Sequence, residues 1–200
     1  MDRGQASRMK EVEVKARLRE PAKVIAALEK LGCALSAPIR QDDVVFMPAS
    51  EVPEGAFASG KRGMNVLRIR EQGGKILFTL KQTVNNELDC IEHECEVSDS
   101  EELRKAIDLM GFREVVRLGK IRRKCRYEPY EICVDQVDGL GDFIEVEKLV
   151  ESGDSDAIQE ELFAFLEKLG VRRADREVHG YDTLTWLKKT GKTFADIARY

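Results

Sequence analysis

The chain has 200 residues, enough for one domain or one domain with a helical appendage. Charged residues make up 35% of it, yet the net charge is only −4, so acids and bases are abundant and nearly balanced. That balance argues against a general nucleic-acid binder, which presents a net basic face, and no apolar run approaches the roughly 18 residues that span a bilayer.

The opening MDRGQASRMK has no apolar core and does not read as a secretory signal. Residues 1–8 read as a disordered leader, and 9–200 as a single domain ending in helices. From Met9 to Leu18 the residues alternate strictly, with Glu11, Glu13, Lys15 and Arg17 against Val12, Val14, Ala16 and Leu18. That is a strand with period two. Pro21 opens a helix with Val24, Ala27, Leu28 and Leu31 on one stripe and Gly32 as its stop. Ala34 to Phe46 reads as a second strand. Residues 47–63 carry Pro48, Pro53, Gly55, Gly60 and Gly63, and are expected to form a mobile lid.

Met64 to Arg70 and Lys75 to Gln82 form a hairpin around Gly73-Gly74, and Asp89 to Val97 is the next strand. Ser98 is expected to cap a helix from Asp99 to Met110, ended by Gly111. Val115–Tyr127, Tyr130–Val137 and Asp142–Val150 follow as three strands, the last two joined at Gly139-Leu140-Gly141. Asp154–Leu169 is a helix closed by Gly170, and shorter helices are expected at Tyr181–Lys188 and Thr193–Arg199. Crossover helices between strands are lacking, so the fold class is α+β with an antiparallel sheet and peripheral helices. Eight strands suffice for a closed antiparallel eight-stranded β-barrel.

In strand after strand one face is charged and the other apolar. Helices cover only the outside of a curved sheet, so the charged faces should line the lumen. The pairs Glu11/Glu13 and Glu145/Glu147, with Asp135 near, offer hard oxygen ligands suited to Mg2+ or Mn2+. Lys15, Arg68, Arg70, Lys81, Arg122 and Lys124 offer grips for phosphate oxygens. A polyphosphate with its metal fits walls of both signs. The alternative for any single strand is a solvated sheet face. The five cysteines, Cys33, Cys90, Cys95, Cys125 and Cys133, include no Cys-x-x-Cys pair and read as reduced thiols of a cytoplasmic protein. His93 and His179 are too few for a histidine metal site.

Glu11-Val12-Glu13-Val14-Lys15 resembles the Glu-x-Glu-x-Lys signature of the CYTH superfamily, the triphosphate tunnel metalloenzymes. It is followed in order by Leu67-Arg68-Ile69-Arg70, Thr79-Leu80-Lys81, the Glu92/Glu94/Glu96 strand, Arg122 and Lys124, Asp135, and the run Gly139 to Glu147. The Gly-Leu-Gly-Asp-Phe turn and the Tyr181 segment most resemble the class IV adenylyl cyclase branch. Arg122 and Lys124 stand in the reverse of that family's Lys-then-Arg order. The resemblance implies an eight-stranded tunnel, with Glu11, Glu13 and Glu145 holding Mg2+ or Mn2+ and Glu147 and Asp135 near. Lys15, Arg68, Arg70, Lys81, Arg122 and Lys124 would bind phosphates, and Glu11, Glu13 and Lys15 would serve catalysis. The implied activity is an adenylyl cyclase making cyclic AMP from ATP. The alternatives are an inorganic or thiamine triphosphatase, or a non-catalytic module that binds a phosphate ligand. The partner is a small-molecule triphosphate, with neither nucleic acid nor membrane expected. Apolar surface outside the barrel leaves room for a homodimer.

Overall fold

A computed structural model describes residues 10–58, 60–151 and 153–197. The expected leader at 1–8, Met9, and the end of the helix expected at Thr193–Arg199 lie outside them. Strand β1 (Lys10–Arg17) shows why the sheet curls as it does. Val12, Val14 and Ala16 are fully buried on one face, while Glu11, Glu13 and Lys15 project from the other. The other barrel strands are β2 (Ile39–Pro48), β3 (Asn65–Gln72), β4 (Lys75–Thr83), β5 (Asp89–Val97), β6 (Phe112–Tyr127), β7 (Tyr130–Val137) and β8 (Gly141–Val150).

These strands pair antiparallel in the order β5-β4-β3-β2-β6-β7-β8-β1, and β1 returns to β5, closing an eight-stranded barrel. The closing seam is short. Only Glu11 and Val12 pair with Cys90 and Asp89, extended by a hydrogen bond from Glu13 N to Leu88 O at 2.9 Å. Further along the same edge, Lys15 and Ala16 pair instead with a two-residue strand, β9 (Arg176–Glu177), which sequence patterning does not reveal.

Helices α1 (Pro21–Lys30), α2 (Ser100–Leu109) and α3 (Ser155–Lys168) cover outer, apolar faces, whereas α4 (Tyr181–Thr190) packs on inward-facing residues of the barrel and brings Tyr181 to its cavity. Leu162, Phe163 and Leu166 of α3 and Leu28 of α1 pack on Val12, Val14, Ile144 and Val146. Ile107 of α2 covers Phe46, Leu67 and Ile69, while Trp186 and Leu187 of α4 cluster with Val116 and Val137, which share the inward parity of Leu118 and Lys120. Each large side chain so buried contributes about 1.5–3 kcal/mol. This outer burial offsets the cost of a charged interior. Among the described residues, no helix is long and apolar enough to cross a membrane.

Several boundaries differ from the sequence reading, each for a local reason. The second strand starts at Ile39 rather than Ala34, since Pro38 brings no N–H to the ladder. Helix α2 is capped by Asp99 rather than Ser98, because the Asp99 carboxylate accepts from Glu101 N and Glu102 N. Strand β6 begins at Phe112 rather than Val115, because Gly111 turns the chain at positive φ straight onto Pro48. The segment expected at Thr193–Arg199 is a 3-10 turn over Phe194–Asp196, with a Thr193–Asp196 capping box.

The segment expected to be a mobile lid reaches the lumen, where Phe57, Ala58 and Gly60 line the cavity, and it carries buried anchors. Val52, Phe57 and Ala58 are fully buried, and the Phe57 ring lies 5.3 Å from that of Trp186. Proline and glycine mark its turns, but three apolar anchors seat it against α4. Phe57→Ala is expected to lower unfolding free energy by about 3 kcal/mol. Denaturant unfolding measures this, and unchanged stability would show that Phe57 does not anchor the segment.

Candidate active site

The inner faces enclose a cavity of about 360 Å3, within the range of small-molecule pockets. Glu11, Glu13, Lys15, Arg68, Arg70, Lys81, Arg122, Lys124, Glu145 and Glu147 all line it. Asp135 lies behind this wall.

The register between β1 and β8 decides how the acids group. Glu13 stands opposite Glu147, and Lys15 opposite Glu145. Carboxylate oxygens of Glu11, Glu13 and Glu147 lie within 4.8 Å of one another. Burial, then repulsion from Glu145, pushes Glu13 up to about 7. Burial, then Glu11 and Glu13, pushes Glu147 up to about 9. Glu13 Oε1 is buried with no hydrogen-bond donor and has only Lys15 Nζ at 3.3 Å. Crowded, under-satisfied oxygens of this kind fit a hard divalent cation such as Mg2+ or Mn2+.

The other two acids expected at a metal meet cations instead. Glu145 lies 3.1 Å from Lys15 Nζ and accepts a short hydrogen bond from Arg122. Burial works against its charge, but Arg122 and Lys15 hold it well below the carboxylate range. Asp135 accepts from Arg122 Nε at 2.7 Å and from Lys120 Nζ at 3.4 Å.

The basic wall is held from behind. Arg70 donates two hydrogen bonds of 2.7 Å to Asp43, and both residues are buried. Burial opposes the Asp43 charge, but Arg70 and nearby Arg68 bring its pKa down to about 2. Arg68 bonds Thr79 and reaches Glu92 and Glu94 at 3.3 and 3.2 Å. Lys81 meets Glu92 at 2.6 Å. Lys124, half-exposed, pairs with Glu131.

Among the lumen residues to which the sequence reading gave no role, three stand out. Lys120 is 3% exposed and lines the cavity, and its parity with Arg122 and Lys124 was the available signal. Lys120 and Arg122 together make a Lys-then-Arg pair. Burial, then Arg122, lowers Lys120 to about 8. Asp43 is the second. Tyr181 is the third, its ring 4.1 Å from Lys15 Nζ and 4.7 Å from Lys120 Nζ. Its hydroxyl is buried without a hydrogen bond. Glu87 seats this segment by accepting from Gly180 N and Thr183 Oγ1, each at 2.7 Å. A Cβ at Gly180 would fall 2.3 Å from Asp182 Oδ1, so the approach favours glycine.

Comparison with known proteins places this geometry. Residues 9–181 match the family described as CYTH domain. A Methanocaldococcus jannaschii protein named "Putative adenylate cyclase" is 30% identical over 168 residues, 82% of this chain and 92% of that one. An Aeromonas hydrophila protein named adenylate cyclase CyaB is 23% identical, covering 87% of each chain. A conserved hypothetical protein from Pyrococcus furiosus has a similar solved structure, with TM-score 0.69 and 25% identity over 87% of this chain and 99% of that one.

Proposed function

The chain belongs to the CYTH domain family, and from that premise we propose a divalent-metal-dependent enzyme acting on a triphosphate, an adenylyl cyclase converting ATP to cyclic AMP and pyrophosphate. One observation carries the reading. Three crowded carboxylates, Glu11, Glu13 and Glu147, share a lumen with the cationic wall of Arg68, Arg70, Lys81, Lys120 and Arg122. The name of the Methanocaldococcus jannaschii relative supports cyclisation as the reaction.

In this reading Glu11, Glu13 and Glu147 hold Mg2+ or Mn2+. The bound ion supplies Lewis acidity toward phosphate oxygens. Arg70 and Arg122, clamped by Asp43 and Asp135, present fixed guanidinium forks to the phosphates. Lys15, Lys81 and Lys120 add positive charge along the same wall. The ribose 3′-hydroxyl releases its proton to water as its oxygen bonds to the α-phosphorus, and the bond to the bridging oxygen breaks. Pyrophosphate leaves with that electron pair, held by the cationic wall. The buried segment at Phe57 and Ala58 excludes water from one side.

Incubation with Mg2+ or Mn2+ and, separately, ATP, tripolyphosphate and thiamine triphosphate tests the reading by product identification. Cyclic AMP with stoichiometric pyrophosphate from ATP is the expected result. Orthophosphate released from tripolyphosphate or thiamine triphosphate, with no cyclic AMP, would make the chain a hydrolase. Tight binding without products would reduce it to a binding module.

A further inference from the structure

Among the charged side chains of the lumen wall stands a neutral amide pair. Gln41 and Gln72 face each other directly across the β2–β3 ladder, and both line the cavity. Gln41 is 3% exposed. Its Nε2 donates to Gln72 Oε1 at 2.6 Å, while its own Oε1 is buried without a hydrogen-bond partner. Lys120 pairs with Gln41 on the other side, but its ammonium turns to Asp135 and the Tyr181 ring. Leu77 and Leu118 line the same cavity, paired with Arg70 and Asp43 one step along the strands.

An amide oxygen only accepts, so it repels a phosphate oxygen and calls for an N–H donor. A neutral amide pair beside two leucines suits a flat heteroaromatic ring with polar edges, as glutamine suits adenine elsewhere. Gln72 lies two residues from Arg70 on the same strand face, about 7 Å away along the strand. A ring there adjoins the phosphate wall.

We infer that the Gln41–Gln72 pair selects a triphosphate whose organic part carries an exocyclic amine next to a ring nitrogen. Gln41 Oε1 accepts from the amine, and Gln72 Nε2 donates to the ring nitrogen. Adenine in ATP and the aminopyrimidine of thiamine triphosphate both carry this edge. Hypoxanthine has no exocyclic amine and places a carbonyl oxygen where the amine of adenine would be, against Gln41 Oε1. The inference rests on the triphosphate reading above and adds to it what distinguishes one triphosphate from another.

Calorimetry with Mg2+ present tests it, using α,β-methylene ATP, its hypoxanthine counterpart, thiamine triphosphate and inorganic tripolyphosphate. The amino-bearing ligand should bind at least about tenfold more tightly than the hypoxanthine one. Whichever of the adenine and thiamine ligands binds more tightly identifies the ring. Gln41→Leu should abolish that preference while changing tripolyphosphate affinity less than twofold. Gln72→Leu, at a half-buried position, breaks the same pair should Gln41→Leu fail to fold. Equal binding of the adenine and hypoxanthine ligands, or a preference that survives both substitutions, overturns the assignment. Failure of tripolyphosphate to bind at all would strike the triphosphate reading itself, and this inference with it.

Discussion

Glu13→Gln is expected to cut turnover severely and to raise the melting temperature of the metal-free protein. The two effects have one cause. Glu13 stands within a crowd of carboxylates that favours a divalent cation and, without one, repels itself. Removing its charge takes away a metal ligand, and even losing an outer-shell partner costs about 10–100-fold in affinity or activity. Turnover should therefore fall on the order of a thousandfold, and Mn2+ affinity at least about a hundredfold. Burial and Glu145 raise the folded-state pKa of Glu13 from an ordinary 4.5 to about 7. Below pH 4.5 the carboxyl is protonated folded or unfolded, and it leaves stability unchanged. Between 4.5 and about 7 the unfolded chain ionises first, so stability falls as pH rises. Above about 7 the full penalty is present, at most about 3 kcal/mol. The gain from glutamine should accordingly be largest near pH 8 and vanish toward pH 4.5. Melts of chelator-treated protein across that range, with product assays, measure both effects. Full activity in Glu13→Gln would remove the metal from this strand.

Period-two patterning carries β1 well, because Glu11, Glu13 and Lys15 alternate with Val12, Val14 and Ala16. Once helices claim the apolar side, the charged side has to face inward. What alternation does not carry is the stagger between strands. Glu145 and Glu147 look equivalent on β8, yet the β1–β8 register sets one beside Lys15 and the other beside Glu13. Asp135 reads like the other acids, but the β6–β7 ladder sets it against Arg122. Shear of a closed barrel fixes such neighbours, and it arises from the whole sheet rather than from any one strand. Asp42 and Asp43 are a harder case. Composition makes them twins, but Asp42 faces outward to Arg40 and Asp43 inward to Arg70. Glu87 meets Gly180 and Thr183, on either side of Tyr181, only after the chain has closed, so local pattern carries no trace of that contact.

The lumen wall is a set of ion pairs rather than a bare cationic surface. Arg68, Arg70, Lys81 and Arg122 each have a carboxylate partner within 3.3 Å. A bound triphosphate need not break these pairs, since each guanidinium has five donors and a carboxylate uses only two or so. The acids hold the forks in place, and the residues that carry the forks line the cavity. Roles in folding and in binding thus fall on the same residues, and a single substitution confounds them.

Paired substitutions at Arg70 and Asp43 separate the two roles. Arg70→Met leaves Asp43, 4% exposed, as a buried carboxylate without its guanidinium. Breaking a buried ion pair in this way costs about 3–5 kcal/mol. The Asp43 pKa, down to about 2 with Arg70 present, should rise, since burial opposes its charge. Stability of the single variant should therefore improve as the pH drops toward the ordinary carboxylate range, where Asp43 is neutralised. Asp43→Leu in the same chain removes the stranded charge, and an apolar pair in place of a buried ion pair is often neutral or stabilising. The double variant should regain most of the lost stability. It should not regain tripolyphosphate binding, because the grip itself is gone. Denaturant unfolding of wild type, both single variants and the double variant gives the coupling energy between the two residues. Calorimetric titration with tripolyphosphate and Mg2+ gives the binding arm. Restored stability with restored binding would mean that Arg70 only supports the barrel, and the phosphates would then have to be held by Arg68, Lys81 and Arg122 without it.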